Sequence, residues 1–200
     1  VIKKIFDVAD LDARDRSKLV LGLVVPRPIG WIGTTSAEGV DNLAPYSFFN
    51  AVSSSPPTVM FSSGMRSRIK DSLRNARDSG EFTWNLVSEE VAEAMNLTSQ
   101  DYPSGVDEFE VAGLTAIRGQ LVDAPLVAEA KANFECRVVD IVEVGEPPAS
   151  SVVFGEVVRI HVREDLLDGT RIDLEGLKAV GRLAGGGYSR VNDLFWMERP

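Results

Sequence analysis

The residues with the most chemical potential lie in LAPYSFFNAVSSSPPTVMFSSG, residues 43–64. This stretch sets Tyr46, Phe48, Phe49 and Phe61 among Ser47, Asn50, Ser53, Ser54, Ser55, Ser62 and Ser63. It is too polar for an ordinary core and too apolar for an ordinary loop. Just beyond it, SRIKDSLRNARDS (67–79) reads as a helix with Ile69, Leu73 and Ala76 as its apolar stripe and Gly80 as its stop. Arg66, Arg68 and Lys70 crowd the start of that helix. The positive pole of the macrodipole disfavours each cation there by about 0.3–1 kcal/mol. A bound phosphate would resolve the conflict, because free N–H groups and Lys70 could then serve one anion. Ser62 and Ser63 could add hydroxyl donors. The plain alternative is a solvated basic face paired with Asp71 and Asp78.

An apolar planar slot, edged by hydroxyls and backbone amides and ending at a phosphate site, suits a flavin mononucleotide (FMN). The competing reading makes Phe48, Phe49 and Phe61 barrel core and the serines loop filler. Other chemistry is weakly signalled. With one cysteine (Cys136) and one histidine (His161), the chain shows no triad signature and no metal-ligand cluster. Glu89–Glu90 and Asp107–Glu108 read as solvated faces at a helix start and in a loop. GRLAGGGY (181–188) lacks the strand–loop–helix setting of a dinucleotide fingerprint.

The elements that must position these residues are mostly strands. Residues 10–23 read as a helix capped by Asp10 or Asp12 and ended by Pro26 and Pro28. IGWIGTTS (29–36), a turn at AEG and VDNLAPY form a hairpin signal. Strands follow at 58–63 and 81–87, the second leading to a helix capped by Ser88. Residues 98–125 read as irregular connection. ANFECRVVDIVEV (132–144) alternates at Phe134, Cys136 and Val138, then slips phase near Val139–Asp140 as a bulge would cause. Its expected partner is 151–162, across GEPPAS. A short helix is expected near 174–180. Hairpin order with inserted helices predicts an antiparallel β-barrel with peripheral α-helices rather than a doubly wound sheet.

Length and composition fit a single domain over residues 1–200. Twenty-one basic against thirty acidic residues give a net charge of −9, which argues against a nucleic-acid partner. No apolar run approaches the roughly 20 residues of a membrane span. The opening VIKKIFDVADLDARDR is charged too early for a secretory signal, and a lone cysteine allows no intrachain disulfide. The expectation is a cytoplasmic protein.

VVPRPIGWIGTTSAEG, the 42–64 stretch, KDSLRNARDSGEFTWNLV, FGEVVRIHV and VGRLAGGGYSRV, taken together and in order, resemble the flavin-reductase-like, FMN-binding split-barrel family. The resemblance runs from about residue 10 to the end and looks like the longer branch, similar to the reductase component of nitrilotriacetate monooxygenase. It implies a split β-barrel homodimer with one FMN per subunit near the dimer interface. It implies that Ala44, Pro45, Tyr46, Ser47, Phe48 and Asn50 line the isoalloxazine, with Ser47 and Asn50 as polar contacts and Phe48 beside the ring. Ser62, Ser63 and Lys70 become phosphate ligands, and Ser72 stands where the family more often has threonine. Arg27, Arg182 and Tyr188 approach the flavin, the last two from a neighbouring subunit.

Many short reductases of this family carry a histidine just before the strand equivalent to 151–158. Here that place reads PPASSVVFGEV, without one. His161 lies further along the strand, where a lone histidine is more often structural. That departure counts against efficient NAD(P)H oxidation and leaves flavin binding untouched; the resemblance as a whole implies an NADH- or NADPH-dependent flavin reductase that serves a monooxygenase partner. Two alternatives stand beside it: an FMN-binding electron carrier or flavin store, and an FMN enzyme for a dedicated organic substrate.

Overall fold

The computed structural model describes residues 1–64 and 68–199. Its first half runs α1 (Ala13–Leu23), β1 (Gly30–Thr35), β2 (Asp41–Tyr46), β3 (Phe49–Ser54), β4 (Pro57–Gly64), α2 (Asp71–Ser79) and β5 (Glu81–Asn85). Next come α3 (Ala92–Leu97), α4 (Glu108–Ala112), β6 (Ala116–Arg118), β7 (Pro125–Val127), β8 (Ala132–Val144) and β9 (Ser150–Val162). The tail holds β10 (Leu167–Asp168), β11 (Arg171–Ile172), α5 (Leu174–Leu177), β12 (Val180–Arg182) and β13 (Tyr188–Arg190).

Seven strands make one antiparallel sheet in the order β2-β1-β5-β8-β9-β4-β3. The two edge strands, β2 and β3, are joined by Ser47 and Phe48 alone. Three Cα–Cα steps span at most about 11 Å. A flat seven-stranded sheet would hold its edges far further apart, so this sheet must roll until they nearly meet. The result is a β-barrel split between β2 and β3, with the Ser62 amide donating to the Phe48 carbonyl at 2.8 Å to fasten the connection onto β4.

Period-two alternation builds two cores from one strand. On β1, Ile32 points into the barrel with Phe49, Phe61, Phe82 and Val153, while Trp31 points out to Val91, Met95 and Phe109. The Phe61 and Phe82 rings meet edge to face at 5.2 Å. Gly155 leaves room for them, since a Cβ there would lie 2.3 Å from the Phe82 ring. The long β8–β9 ladder shifts register between Val138 and Asp140, where the alternation slips, and again between Glu135 and Cys136.

Several expectations need correction. The 67–79 helix begins at Asp71, with Lys70 in extended conformation at its N-cap. Arg68 and Lys70 therefore precede the helix, and its first turn holds the acid that the dipole favours. Arg66 and Ser67 lie outside the described residues. Ile69 is exposed, so the buried stripe is Leu73 and Ala76, and Gly80 ends the helix with φ 72°. Ser88 stands before a short 3₁₀ turn, Glu89–Val91, and its hydroxyl makes no capping bond. The 98–125 connection contains α4, capped by Asp107 Oδ1 accepting from the Phe109 amide at 2.8 Å, and the β6–β7 hairpin.

Candidate functional site

A cavity of about 270 Å³ opens at the split. β2 contributes Asn42, Ala44, Pro45 and Tyr46, and the connection contributes Ser47 and Phe48. Ser62, Ser63 and Gly64 end β4 at its edge, and Arg68, Lys70, Asp71 and Ser72 come from the approach to α2 and its first turn. The segment Thr98–Tyr102 and Glu108 of α4 close the other side, with Leu21 of α1 at the margin. The second core positions that segment: buried Trp31 donates its indole N–H to Thr98 Oγ1 at 2.9 Å.

Ala44, Pro45, Tyr46, Ser47, Phe48, Ser62, Ser63, Lys70 and Ser72 thus meet at one cavity. Phe49 and Phe61 do not line it; they are buried in the barrel, as the competing reading of the aromatics has it. Tyr46 spans the two, stacked at a tilt on Phe61 with ring centroids 5.0 Å apart. Burial pushes its phenol above the ordinary tyrosine value, against the pull of the Ser72 and Ser63 hydroxyls. Ser63 is fully buried, yet among the described residues no hydrogen bond of ordinary geometry satisfies its hydroxyl, the nearby phenol included.

Four proposed residues lie elsewhere in the single chain. Asn50 is exposed on β3, its Oδ1 accepting from the Ala51 amide at 2.9 Å. Arg27 is buried and spends its guanidinium on the carbonyls of Leu21 (2.8 Å), Val24 (2.7 Å) and Leu183 (3.0 Å), with Ser47 Oγ at 3.4 Å. Its ordinary value is lowered first by burial, then by Arg182. Arg182 stacks on Tyr188 at 4.4 Å, and the Tyr188 hydroxyl donates to Asn96 Oδ1 at 3.2 Å, on α3.

The charged wall differs from the sequence reading. Lys70 Nζ pairs with Asp101 at 2.5 Å and Arg68 pairs with the same carboxylate at 3.3 Å; Asp71 instead takes Arg74 and the Ser104 hydroxyl. Hydrogen bonds from Lys70 and then Arg68 hold Asp101 below the usual aspartate range. Glu108 is not a solvated face. It is 6% exposed, and its Oε2 accepts from Asn42 Nδ2 at 2.8 Å and the Leu43 amide at 3.0 Å. Burial raises its carboxyl above the ordinary range. Asn42 Oδ1 in turn accepts from Ser72 Oγ at 2.7 Å, so the Ser72 proton is committed inward and only its lone pairs face the cavity.

The Glu89–Glu90 pair is also engaged. Arg190 meets Glu89 at 2.8 Å, and Lys131, whose own side chain is buried, donates to Glu90 and holds its carboxyl down at about 2. His161, remote from the cavity, meets Glu135 at 2.6 Å, and that buried carboxylate also accepts amides from the 120–122 turn.

Leu21, Asn42, Asp71, the 98–102 segment and Glu108 are among the lining residues that sequence reasoning missed. The acid after Asp107 carried a weak signal: a cap aspartate followed by a carboxylate in the first turn of a short helix marks a helix start, and such a helix needs a surface to pack on.

With fold and cavity defined, the comparisons place the chain. Residues 21–176 match the family described as "Flavin reductase like domain", and the chain belongs to it. Nitrilotriacetate monooxygenase component B from Bacillus cereus is similar at 34% identity and TM-score 0.96, over 98% of this chain and 100% of that one. The Pseudomonas fluorescens 2-nitrobenzoate 2-nitroreductase is similar at 30% identity and TM-score 0.90, over 98% and 96%. An uncharacterized protein of Aquifex aeolicus (strain VF5) is 44% identical over 189 residues, 93% of this chain and 95% of the relative. The fold is the flavin-reductase-like split barrel expected from the sequence. Among the described residues no helix is long and apolar enough to cross a membrane.

Proposed function

We propose that this chain binds FMN in the cavity at the barrel split and acts as an oxidoreductase that reduces flavin with NADH or NADPH. The observation that carries the reading is the Ser63 hydroxyl: fully buried, without a partner among the described residues, and lining a cavity with Arg68 and Lys70 on its rim. A buried donor without an acceptor costs about 1–3 kcal/mol, and a ligand oxygen would satisfy it.

When bound, the flavin supplies the redox chemistry. The chain's own residues hold and orient it. Ala44, Pro45 and Phe48 offer apolar contact to the ring system, and Ser47 offers a hydroxyl at its edge. Ser62, Ser63 and Lys70 receive the phosphate. Ser72 acts behind them beside the Tyr46 phenol, its proton committed to Asn42 Oδ1 rather than to the phosphate. Burial keeps that phenol neutral, so it remains a hydrogen-bond donor at physiological pH.

In this reading the Arg182–Tyr188 pair, which lies off the cavity, serves the flavin of a second copy, and the working form is a homodimer. The name of the Bacillus cereus relative, a monooxygenase component, supports a two-component arrangement in which reduced flavin passes to a separate oxygenase. Fluorescence titration with FMN and riboflavin tests the cofactor, with tighter FMN binding expected. NADH and NADPH oxidation with added FMN tests the activity. A flavin electron carrier without nicotinamide oxidation is the second reading, favoured by one observation: the sole histidine is engaged by Glu135 and remote from the cavity.

A further inference from the structure

We propose that Asp101 is an internal counter-ion that occupies Arg68 and Lys70 until an anionic ligand displaces it, and so sets the cavity's preference between phosphorylated and unphosphorylated ligands. The inference rests on the FMN reading and adds the residue that tunes its selectivity.

Among the described lining residues, two cations, Arg68 and Lys70, face three carboxylates, Asp71, Asp101 and Glu108. Against these described residues, left as they are, the acids outnumber the cations that a phosphate would need. The three acids are not equally fixed. Asp71 is tied to Arg74 and Ser104, and Glu108 is buried against Asn42 and the Leu43 amide. Among the described residues Asp101 has no backbone or hydroxyl donor. Its partners among those residues are the two cations, and its side chain is 55% exposed.

Exposed ion pairs of this kind are each worth at most about fivefold in an equilibrium. A phosphate brings up to two charges and three acceptor oxygens to the same donors, against one charge from the carboxylate. The exchange needs only a side-chain rotation at Asp101, because Arg68 also holds the Tyr102 carbonyl and Ser104 and keeps the segment in place. A neutral ligand has no such exchange to make. Asp101 therefore weakens phosphate-bearing ligands and leaves their unphosphorylated counterparts untouched.

The test is titration of wild type and Asp101→Asn with FMN and with riboflavin at low salt. Asp101→Asn should bind FMN about three- to tenfold more tightly, with riboflavin unchanged. In a Lys70→Ala background the gain should shrink, because the cation contested by the two anions has gone. Weaker FMN binding by Asp101→Asn would show that the carboxylate orders Lys70 for the ligand, and would overturn the inference. Equal shifts for both flavins would make Asp101 a general determinant of cavity shape, with the same consequence. The underlying reading fails separately: if wild type binds riboflavin as tightly as FMN, there is no phosphate site and the inference falls with it.

Discussion

On one wall of the cavity, Asn42, Ser72 and Glu108 are 7%, 1% and 6% exposed and bonded to one another in a fixed direction. A second wall, bridged across the cavity's mouth by Asp101, Arg68 and Lys70, has pairs of comparable length but side chains 55%, 40% and 26% exposed. Bond length does not distinguish them; access to water does. A buried network loses the full desolvation cost of any group left without a partner, whereas water or a ligand can replace an exposed pair. The first wall is therefore scaffold, and the second is where an anion can compete.

The strongest way to break this comparison is Asn42→Ala. It removes one of the two donors to the Glu108 carboxylate and leaves the Ser72 hydroxyl without its acceptor, and denaturant unfolding should show a loss of about 2–4 kcal/mol. A loss below about 1 kcal/mol would mean the buried wall is no scaffold.

Lys70→Ala is the counterpart on the exposed wall. It should weaken FMN about ten- to hundredfold, as expected for a charge-assisted hydrogen bond, while riboflavin affinity and apo stability stay nearly constant. Parallel weakening of both flavins would assign Lys70 to structure instead.

Ser63→Ala sharpens the boundary between the walls. Removing an unpartnered buried hydroxyl should leave the apo protein as stable as wild type or slightly more so. FMN should bind about three- to tenfold less tightly, the scale of one neutral hydrogen bond.

The smallest effect is in pH dependence, where the walls should differ in sign. Burial raises the folded-state value of Glu108, so its contribution is complete below the unfolded carboxyl range and is lost as pH rises through that raised value. Glu108→Gln should therefore gain on wild type as pH climbs from about 4 toward neutrality. Asp101 is held low by Lys70 and Arg68, so its contribution is present above the ordinary aspartate range and is lost as pH falls through the depressed value. Asp101→Asn should approach wild-type stability only in acid. Unfolding curves across pH separate the two.

Much of the framework was legible because it rests on local rules. The 29–46 hairpin, the Gly80 stop and the phase slip near Val139 follow from turn residues and alternation, which need only neighbours in sequence. The helix start was misplaced for an equally local reason. The pattern of Ile69 with Leu73 and Ala76 extends one turn too far, and periodicity does not reveal that Arg68 and Lys70 leave the helix to reach Asp101, more than thirty residues away. The 98–102 segment was illegible for the same cause: its place on the cavity depends on Trp31 reaching Thr98 from the second core.

Sequence by itself determined the hairpin order, the barrel class and the clustering of aromatics with serines at 43–64, because alternation and turn chemistry are properties of consecutive residues. Tertiary structure alone decided which of those aromatics became core and which became wall. Rolling the sheet turns Phe49 and Phe61 inward and leaves Phe48 at the split. It also decided the charge states. Whether Glu108 is a solvated acid or a buried one, and whether Lys70 faces a helix dipole or Asp101, depends on burial and on partners brought from distant parts of the chain.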